Sequence, residues 1–326
     1  MNSEKTTDIT IVGIPTEAGT HFAGQRLAAK ALIERAKLPL KLEKHGYKVS
    51  VVESIFEPNL SLQATAAWKP TPQANGVRNE ENAVAVLKHI KSTLSSKELV
   101  DITKTFPFFI GGDCSITPGI LSGMHQVYPP GTKIGVIYFD GDIDLTIPDE
   151  SRVQVDGTGV LDSMVMTHLT FREGYLKSMG EFSDASGGPL VTSDNIVIYG
   201  FDPIQPQLEH WVYMLETGFK TFTRPTVRKD PVGTAKKAVE WLEKQVDVIF
   251  LHFDVDVIDS SEFPLANYPH YAGLTSTEAL DAAKVFLQSE KLKGLVVTEV
   301  NPNNDPDGFM IEKLVDELVE GFAQRK

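Results

Sequence analysis

Aspartates at alternate positions follow two hydrophobic runs of this sequence. IGVIYF leads into Asp140, Asp142 and Asp144, and VIFLHF leads into Asp254 and Asp256. Side chains alternate between the two faces of a strand, so each set is predicted to point to one side. Such apolar runs are typical of buried parallel strands, whose carboxyl ends share one sheet edge. Because gathered carboxylates must be protonated or bind a cation, the pattern predicts bound divalent metal, with more than one ion.

Strand-like and helix-like segments alternate along the whole chain. This alternation predicts an α/β fold with a largely parallel sheet covered by helices on both faces. No shift in composition marks a boundary, so residues 1–326 are predicted to form a single domain. The strand-like runs are DITIVGI, YKVSVV, FPFFIGG, KIGVIYFD, DNIVIYGF, VDVIFLHFDVDV and LKGLVVTEV. The helix-like segments are 25–37, 80–96, 116–128, 206–218, 234–245, 276–289 and 308–324.

Three stretches rich in glycine, proline or acidic residues are predicted to be loops. They are Glu57 to Val77, Pro148 to Gly159 and Asp259 to Ala272. The last two directly follow the aspartate runs, so we expect them to form walls or a lid over the site.

Composition and charge exclude several classes of protein. A net charge of −13 argues against nucleic acid and anionic membranes as partners, and it favours a small cationic substrate. No stretch approaches the roughly 18 uninterrupted apolar residues of a membrane span. The segment Met1 to Asp8 lacks the apolar region of a signal peptide. The single cysteine, Cys114, cannot form an internal disulfide, so we expect a cytoplasmic protein.

Four motifs occur in order, each at a predicted strand end. They are GGDCS at 111–115, DGDID at 140–144, HFDVDVID at 252–259 and TEVNP at 298–302. Their order and spacing resemble the ureohydrolase superfamily of arginase, agmatinase, formiminoglutamase and guanidinobutyrase, with signatures GGDHS, DAHxD, SxDxDxxDP and ExNP. The opening IVGIPTEAGTHFAG and the segment AGLTSTEAL also resemble that family.

The resemblance implies a three-layer α/β/α fold with a mostly parallel sheet of about eight strands. It also implies a binuclear manganese site whose bridging hydroxide attacks a guanidinium carbon and cleaves a C–N bond. On this basis Asp140, Asp144, Asp254 and Asp256 are metal ligands, and Glu299 holds the substrate guanidinium. Family members are often trimers or hexamers, so a homo-oligomer is expected.

The sequence departs from the family pattern at each of its histidines. Cys114 and Asp142 stand at the two ligand histidines, and Asp162 lies near the histidine thought to carry protons. His252 stands where the family usually has serine, and it could supply a nitrogen ligand because it should face the same way as Asp254. Thiolate and imidazole favour Zn²⁺, Fe²⁺, Ni²⁺ or copper over Mn²⁺, and thiolate ligation would lower the pKa of Cys114.

Further residues are assigned roles by their place near these motifs. Asp142, Asp162, Glu299 and His270 are candidate catalytic residues, with Asp162 or His270 handling protons. Thr146 and Tyr268, together with Glu299, are candidate substrate-binding residues.

Less specific alternatives remain open for the same residues and for the function. Cys114 could be a small buried residue, His252 an interior histidine with a local partner, Asp142 a hydrogen-bond acceptor and Glu299 a turn cap. The chain could also catalyse a different metal-dependent reaction at a site of Cys, His and Asp residues, or act as a non-catalytic structural or regulatory protein.

Overall fold

A single sheet of eight parallel strands forms the centre of the molecule. The computed structural model describes residues 8–20, 22–56, 76–153 and 159–325. The strand order is β2-β1-β3-β8-β7-β4-β5-β6. The strands are β1 Asp8–Gly13, β2 Lys48–Val52, β3 Phe106–Ile110, β4 Ile134–Phe139, β5 Ile196–Tyr199, β6 Lys220–Phe222, β7 Val248–Asp254 and β8 Leu292–Thr298. Seven match the predicted runs; β6 was missed because three residues carry too little pattern.

Helices cover both faces of the sheet, as predicted. After β1 the chain forms a 3₁₀ turn at Gln25–Leu27, an α-helical turn at Ala28–Lys30 and a π-helical turn at Ala31–Arg35. With α1 assigned to Ala28–Lys30, the other helices are α2 Leu38–Lys44, α3 Glu80–Ser96, α4 Thr117–Val127, α5 Pro148–Val153, α6 Val165–Thr170, α7 Leu208–Thr217, α8 Arg224–Lys229, α9 Pro231–Glu243, α10 Ser276–Leu287 and α11 Phe309–Ala323.

Alternating residues of the strands supply two separate hydrophobic cores. Phe108 and Leu251 belong to the core that also contains the buried faces of α9, α10 and α11. Phe109 and Phe250, each one position away, belong to the core that contains α3 and α4. The residues of both cores are buried, which explains why the strands are apolar on both faces. The α/β/α prediction is therefore confirmed.

The register of the central strands brings the predicted site residues together. Phe139 of β4 pairs with Phe253 of β7, and Asp254 of β7 pairs with Thr298 of β8. The chain segments that follow β4, β7 and β8 therefore leave the sheet at the same edge, side by side.

Two of the loop predictions need correction or lie partly outside the structure. Pro148 to Gly159 is not a continuous loop, because α5 occupies Pro148–Val153; proline at the first helical position favours this start. Residues 154–158 and residues 57–75 of the first predicted loop lie outside the described residues. Asp259 to Ala272 contains neither helix nor strand, as predicted. Among the helices described, none has the length and apolarity that crossing a bilayer requires.

Candidate active site

A pocket of about 250 Å³ opens at the carboxyl edge of the sheet. Its wall brings together the predicted aspartates, the cysteine and Glu299, together with Thr146, Asp162 and Tyr268. The full lining consists of Thr20, Phe22, Cys114, Asp140, Asp142, Ile143, Asp144, Leu145, Thr146, Val160, Asp162, Ser163, Gln205, Pro206, Gln207, His210, Asp254, Asp256, Asn267, Tyr268 and Glu299.

The first aspartate set lies in the loop after β4 and not on the strand itself. Because β4 ends at Phe139, strand alternation does not orient these residues, and that part of the prediction is wrong. Instead, Oδ1 of Asp140 accepts a hydrogen bond from the backbone N–H of Asp142 at 2.7 Å. Asp144 adopts a left-handed φ of 47°, and its Oδ2 accepts a hydrogen bond from the hydroxyl of Tyr138. A tight turn thus gathers the carboxylates.

The second set starts on β7 and continues into a 3₁₀ turn. Oδ1 of Asp254 accepts a hydrogen bond from the backbone of Asp256 at 2.8 Å, and its Oδ2 accepts one from Thr298 at 3.1 Å. Oδ1 of Asp256 accepts a hydrogen bond from the backbone N–H of Gly141 at 3.1 Å. This last bond ties the two aspartate loops together.

His252 lies beneath the aspartates with no solvent exposure. Its Nδ1 lies 2.9 Å from Oγ1 of Thr117, and its ring stacks on Tyr138 with centroids 4.4 Å apart. Its Nε2 lies 3.6 Å from Oδ2 of Asp140, and neither atom has a hydrogen-bond partner among the described residues. Burial lowers the pKa of His252 to about 3, so the imidazole is neutral. A neutral imidazole beside a carboxylate is suited to binding a metal ion.

His270 reaches the same cluster from the loop after β7. Its Nε2 lies 3.4 Å from Oδ2 of Asp142 and 3.5 Å from Oδ2 of Asp256. Burial by itself would lower the pKa of His270, but these carboxylates, Asp256 above all, raise it to about 12. Without a bound ion, His270 is therefore the cation that balances two of the acids.

Cys114 is buried in the 3₁₀ turn that leads into the N-terminus of α4. Its Sγ lies 3.8 Å from Oδ2 of Asp144 and 3.5 Å from the backbone oxygen of Asp162. Burial, with a further contribution from Asp144, raises the pKa of Cys114 well above its usual value. Without an ion the group is a thiol, so any thiolate ligation has to be driven by the metal.

Glu299 follows β8 in a left-handed conformation with φ of 62°. Its Oε1 accepts a hydrogen bond from the backbone N–H of Cys114 at 3.0 Å, and its Oε2 accepts one from Gln25 at 3.0 Å. These bonds turn the carboxylate into the cluster. No motif in the sequence indicates the contact with Gln25, which lies 274 positions away from Glu299 in the chain.

Most acids of the pocket favour the protonated state when no ion is bound. Burial raises the pKa of Asp140, Asp144, Asp254 and Glu299 well above the usual range, and neighbouring carboxylates raise it further. Burial, followed by the charge of Asp113, raises the pKa of Asp162 to about 8. Several protons must therefore leave before these groups can act as anionic ligands.

One wall of the pocket was missed by sequence reasoning. It consists of Gln205, Pro206, Gln207 and His210, at the start of α7. Nε2 of His210 lies 3.1 Å from Oε2 of Glu150, which also pairs with Arg172 at 2.8 Å. No sequence motif marks this wall, since it depends on how α5 and α7 pack.

Within the described part of the chain, three groups of side chains have the spacing of a metal site. They are Cys114, Asp254 and Glu299; Asp140, His252 and Asp254; and Asp142, Asp256 and His270, with the ligand atoms of each group within 4.8 Å of one another. Two groups combine a histidine nitrogen with carboxylate oxygens, a mixture that suits several divalent transition metals.

Comparison with known proteins agrees with this geometry. The sequence profile of the Arginase family matches residues 7–321. The arginase of Staphylococcus aureus (strain MRSA252) is 26% identical over 309 residues, covering 94% of each chain. The arginase structure from Bacillus caldovelox has a TM-score of 0.79 at 20% identity and covers 98% of this chain and 99% of its own. Formiminoglutamase of Trypanosoma cruzi with Mn²⁺ has a TM-score of 0.68 at 19% identity, covering 98% and 94%. The chain described here therefore belongs to the arginase family.

Proposed function

We propose that this protein is a metal-dependent hydrolase that cleaves a C–N bond in a small, cationic guanidino or amidino compound. The observation that carries the proposal is the convergence of Asp140, Asp144, Asp254 and Asp256 with Glu299 on one pocket. Membership of the arginase family supports the hydrolase class.

The residues at the floor of the pocket fit divalent ions. Oδ2 of Asp140 and Nε2 of His252 lie 3.6 Å apart, are both buried and find no hydrogen-bond partner within the described segments, as expected where a cation completes their bonding. The aspartate oxygens suit Mn²⁺, which is also the ion in the formiminoglutamase of Trypanosoma cruzi. The thiol of Cys114 is the donor that would favour a softer ion.

The acidic residues of the pocket have separate roles in this proposal. Bound divalent ions supply a nucleophile at neutral pH because they lower the pKa of water. Asp140, Asp144, Asp254 and Asp256 hold the ions. Glu299, fixed by its two hydrogen bonds, orients the cationic end of the substrate.

The upper part of the pocket completes the proposed site. Asp162 lines the wall and handles the proton that the leaving amine requires. Thr146 and Tyr268 line the same pocket and contact the rest of the substrate.

The charge of the pocket supports a cationic substrate. Its lining contains seven acidic side chains and, among the residues that the structure describes, neither lysine nor arginine. Such a field attracts guanidinium and amidinium groups and repels anions. A substrate tail with a free carboxylate would meet neither lysine nor arginine in this described wall.

The proposal is tested by assaying the protein as isolated and after loading with Mn²⁺. Arginine, agmatine, guanidinobutyrate and formiminoglutamate are supplied in turn. Release of urea is followed for the three guanidino compounds, and release of formamide for formiminoglutamate. We expect turnover of at least one of them, and a loss of at least about 100-fold in Asp254→Asn because a proposed metal ligand is removed.

Asp194→Asn provides the matched control, since Asp194 is an exposed acid between α6 and β5. It should keep full activity. If metal-loaded protein turns over none of the four compounds, or if Asp254→Asn is as active as Asp194→Asn, the proposed function is wrong.

A further inference from the structure

The group formed by Asp142, Asp256 and His270 has the properties of an ion-binding site in its own right. His270 has only 4% of its surface exposed, and its Nε2 has no hydrogen-bond partner among the described residues. This atom nevertheless lies within 3.5 Å of both carboxylates. These contacts are long ion pairs of the protonated imidazole, so a divalent cation that displaces the proton of Nε2 would take up the same three ligand atoms.

The loop after β7 holds the imidazole in this position. The backbone N–H of His270 donates to Oγ of Ser260 at 3.0 Å, and the backbone oxygen of His270 accepts from Ser260 at 2.9 Å. The ring also packs against Tyr268, with centroids 5.2 Å apart. These contacts fix the ring before any ligand arrives, which reduces the entropy lost on binding.

Gly141 provides the space that the imidazole needs. A Cβ at this position would lie 2.8 Å from Cδ2 and 3.0 Å from Nε2 of His270. The backbone N–H of Gly141 also engages Oδ1 of Asp256, which leaves Oδ2 directed to the histidine side. A larger residue than glycine at position 141 would therefore clash with the ring of His270.

We propose that Asp142, Asp256 and His270 together bind one of the divalent ions, with Nε2 of His270 as its nitrogen ligand. The inference rests on the proposed function, because it concerns the metal centre of the same pocket, and it makes His270 a ligand instead of a proton carrier. Two carboxylates and one imidazole suit Mn²⁺, Fe²⁺ or Zn²⁺. The ion at Asp140, His252 and Asp254 is a separate one, with its own imidazole.

The test is a calorimetric titration of metal-stripped protein with Mn²⁺ alone, combined with elemental analysis after dialysis. Wild type is expected to bind two equivalents. His270→Ala should bind one equivalent with unchanged affinity and lose the other, or bind it at least about 10-fold more weakly, consistent with the loss of a ligand. His45→Ala is the matched control, because His45 is an exposed histidine at the end of α2, and it should behave as wild type.

Two further variants keep the test decisive. If His270→Ala does not fold, Asp142→Asn removes a half-buried ligand of the same ion and should cause the same loss. Gly141→Ala keeps the imidazole but displaces it, so it should weaken the same equivalent. Circular dichroism verifies the fold of each variant.

The outcomes separate the two proposals. If wild type binds no Mn²⁺, the metal-dependent function itself fails. If wild type binds two equivalents and His270→Ala binds two with unchanged affinity, the function stands and the role of His270 is refuted.

Discussion

The metal-free protein is predicted to become less stable as the pH rises from 5 to 7. Five acids of the pocket have raised pKa values in the folded protein, whereas the same groups ionise near pH 4 in the unfolded chain; they are Asp140, Asp144, Asp162, Asp254 and Glu299. Between these two values the folded state binds more protons than the unfolded state. The free energy of unfolding therefore falls with increasing pH. Most proteins whose carboxylates are paired show the opposite trend in acid.

The size of the effect follows from single groups. Asp162, with its pKa of about 8, keeps its proton across this range, and one retained proton corresponds to roughly 1.4 kcal/mol per pH unit. Asp162 alone thus accounts for about 2.7 kcal/mol between pH 5 and pH 7. Asp140, Asp144 and Glu299 shift in the same direction and add to it. Asp256, whose pKa is lowered by His270 against the effect of burial, acts only at lower pH. The buried imidazoles of His252 and His168, with pKa about 3, oppose the trend by roughly 2 kcal/mol each because they gain protons on unfolding at pH 5, but the acids with raised pKa outnumber them.

The assay is urea unfolding of chelator-treated protein at pH 5, 6 and 7, followed by circular dichroism at constant ionic strength. The same series with saturating Mn²⁺ should lose or reverse the trend, because the ions displace those protons and bind more tightly as the pH rises. At a hundredfold excess over Kd, an ion contributes about 2.7 kcal/mol. Metal-free protein that is equally stable, or more stable, at pH 7 than at pH 5 would refute the reasoning.

Three further substitutions test individual contacts. Glu299→Gln should reduce activity by at least about 100-fold while the protein keeps its metal by elemental analysis, because the charge that orients the substrate is lost; normal activity would exclude that role. Thr117→Val removes the partner of Nδ1 of His252 and should weaken metal affinity by roughly 10 to 100-fold in a calorimetric titration, with unchanged affinity as the contrary result. Phe286→Ala should lower the free energy of unfolding by about 3 to 5 kcal/mol in urea, because the buried ring packs edge-on against Phe139 and Tyr199; a loss under 1 kcal/mol would contradict the packing.

Much of the fold was predictable because burial on both faces leaves a clear trace in the sequence. Strands such as β4 and β7 are continuous apolar runs, and the helices between them are long enough to show their period. The short elements were not visible. The three residues of β6 and the six-residue helices α5 and α8 are too short to show a period, so contacts with distant parts of the chain override the local pattern.

The candidate site shows the same division. Placing the aspartates at one sheet edge required only the strand ends, and the structure does gather them there. Their orientation could not be predicted, since the left-handed conformation of Asp144 and the hydrogen bond from Gly141 to Asp256 replace strand alternation. Gln25 and the wall around His210 could not be predicted, because they belong to segments that are distant in sequence from the aspartate motifs and carry no motif of their own.

The central claim is that divalent ions hold the acids of this pocket together. Anomalous diffraction from crystals grown with Mn²⁺ tests it most directly. We expect two peaks about 3.5 to 4 Å apart, as in other two-metal sites, one near Asp140 and His252 and the other near Asp142 and His270. A map without an anomalous peak in the pocket, from crystals whose solution contains Mn²⁺ in excess, would contradict the account.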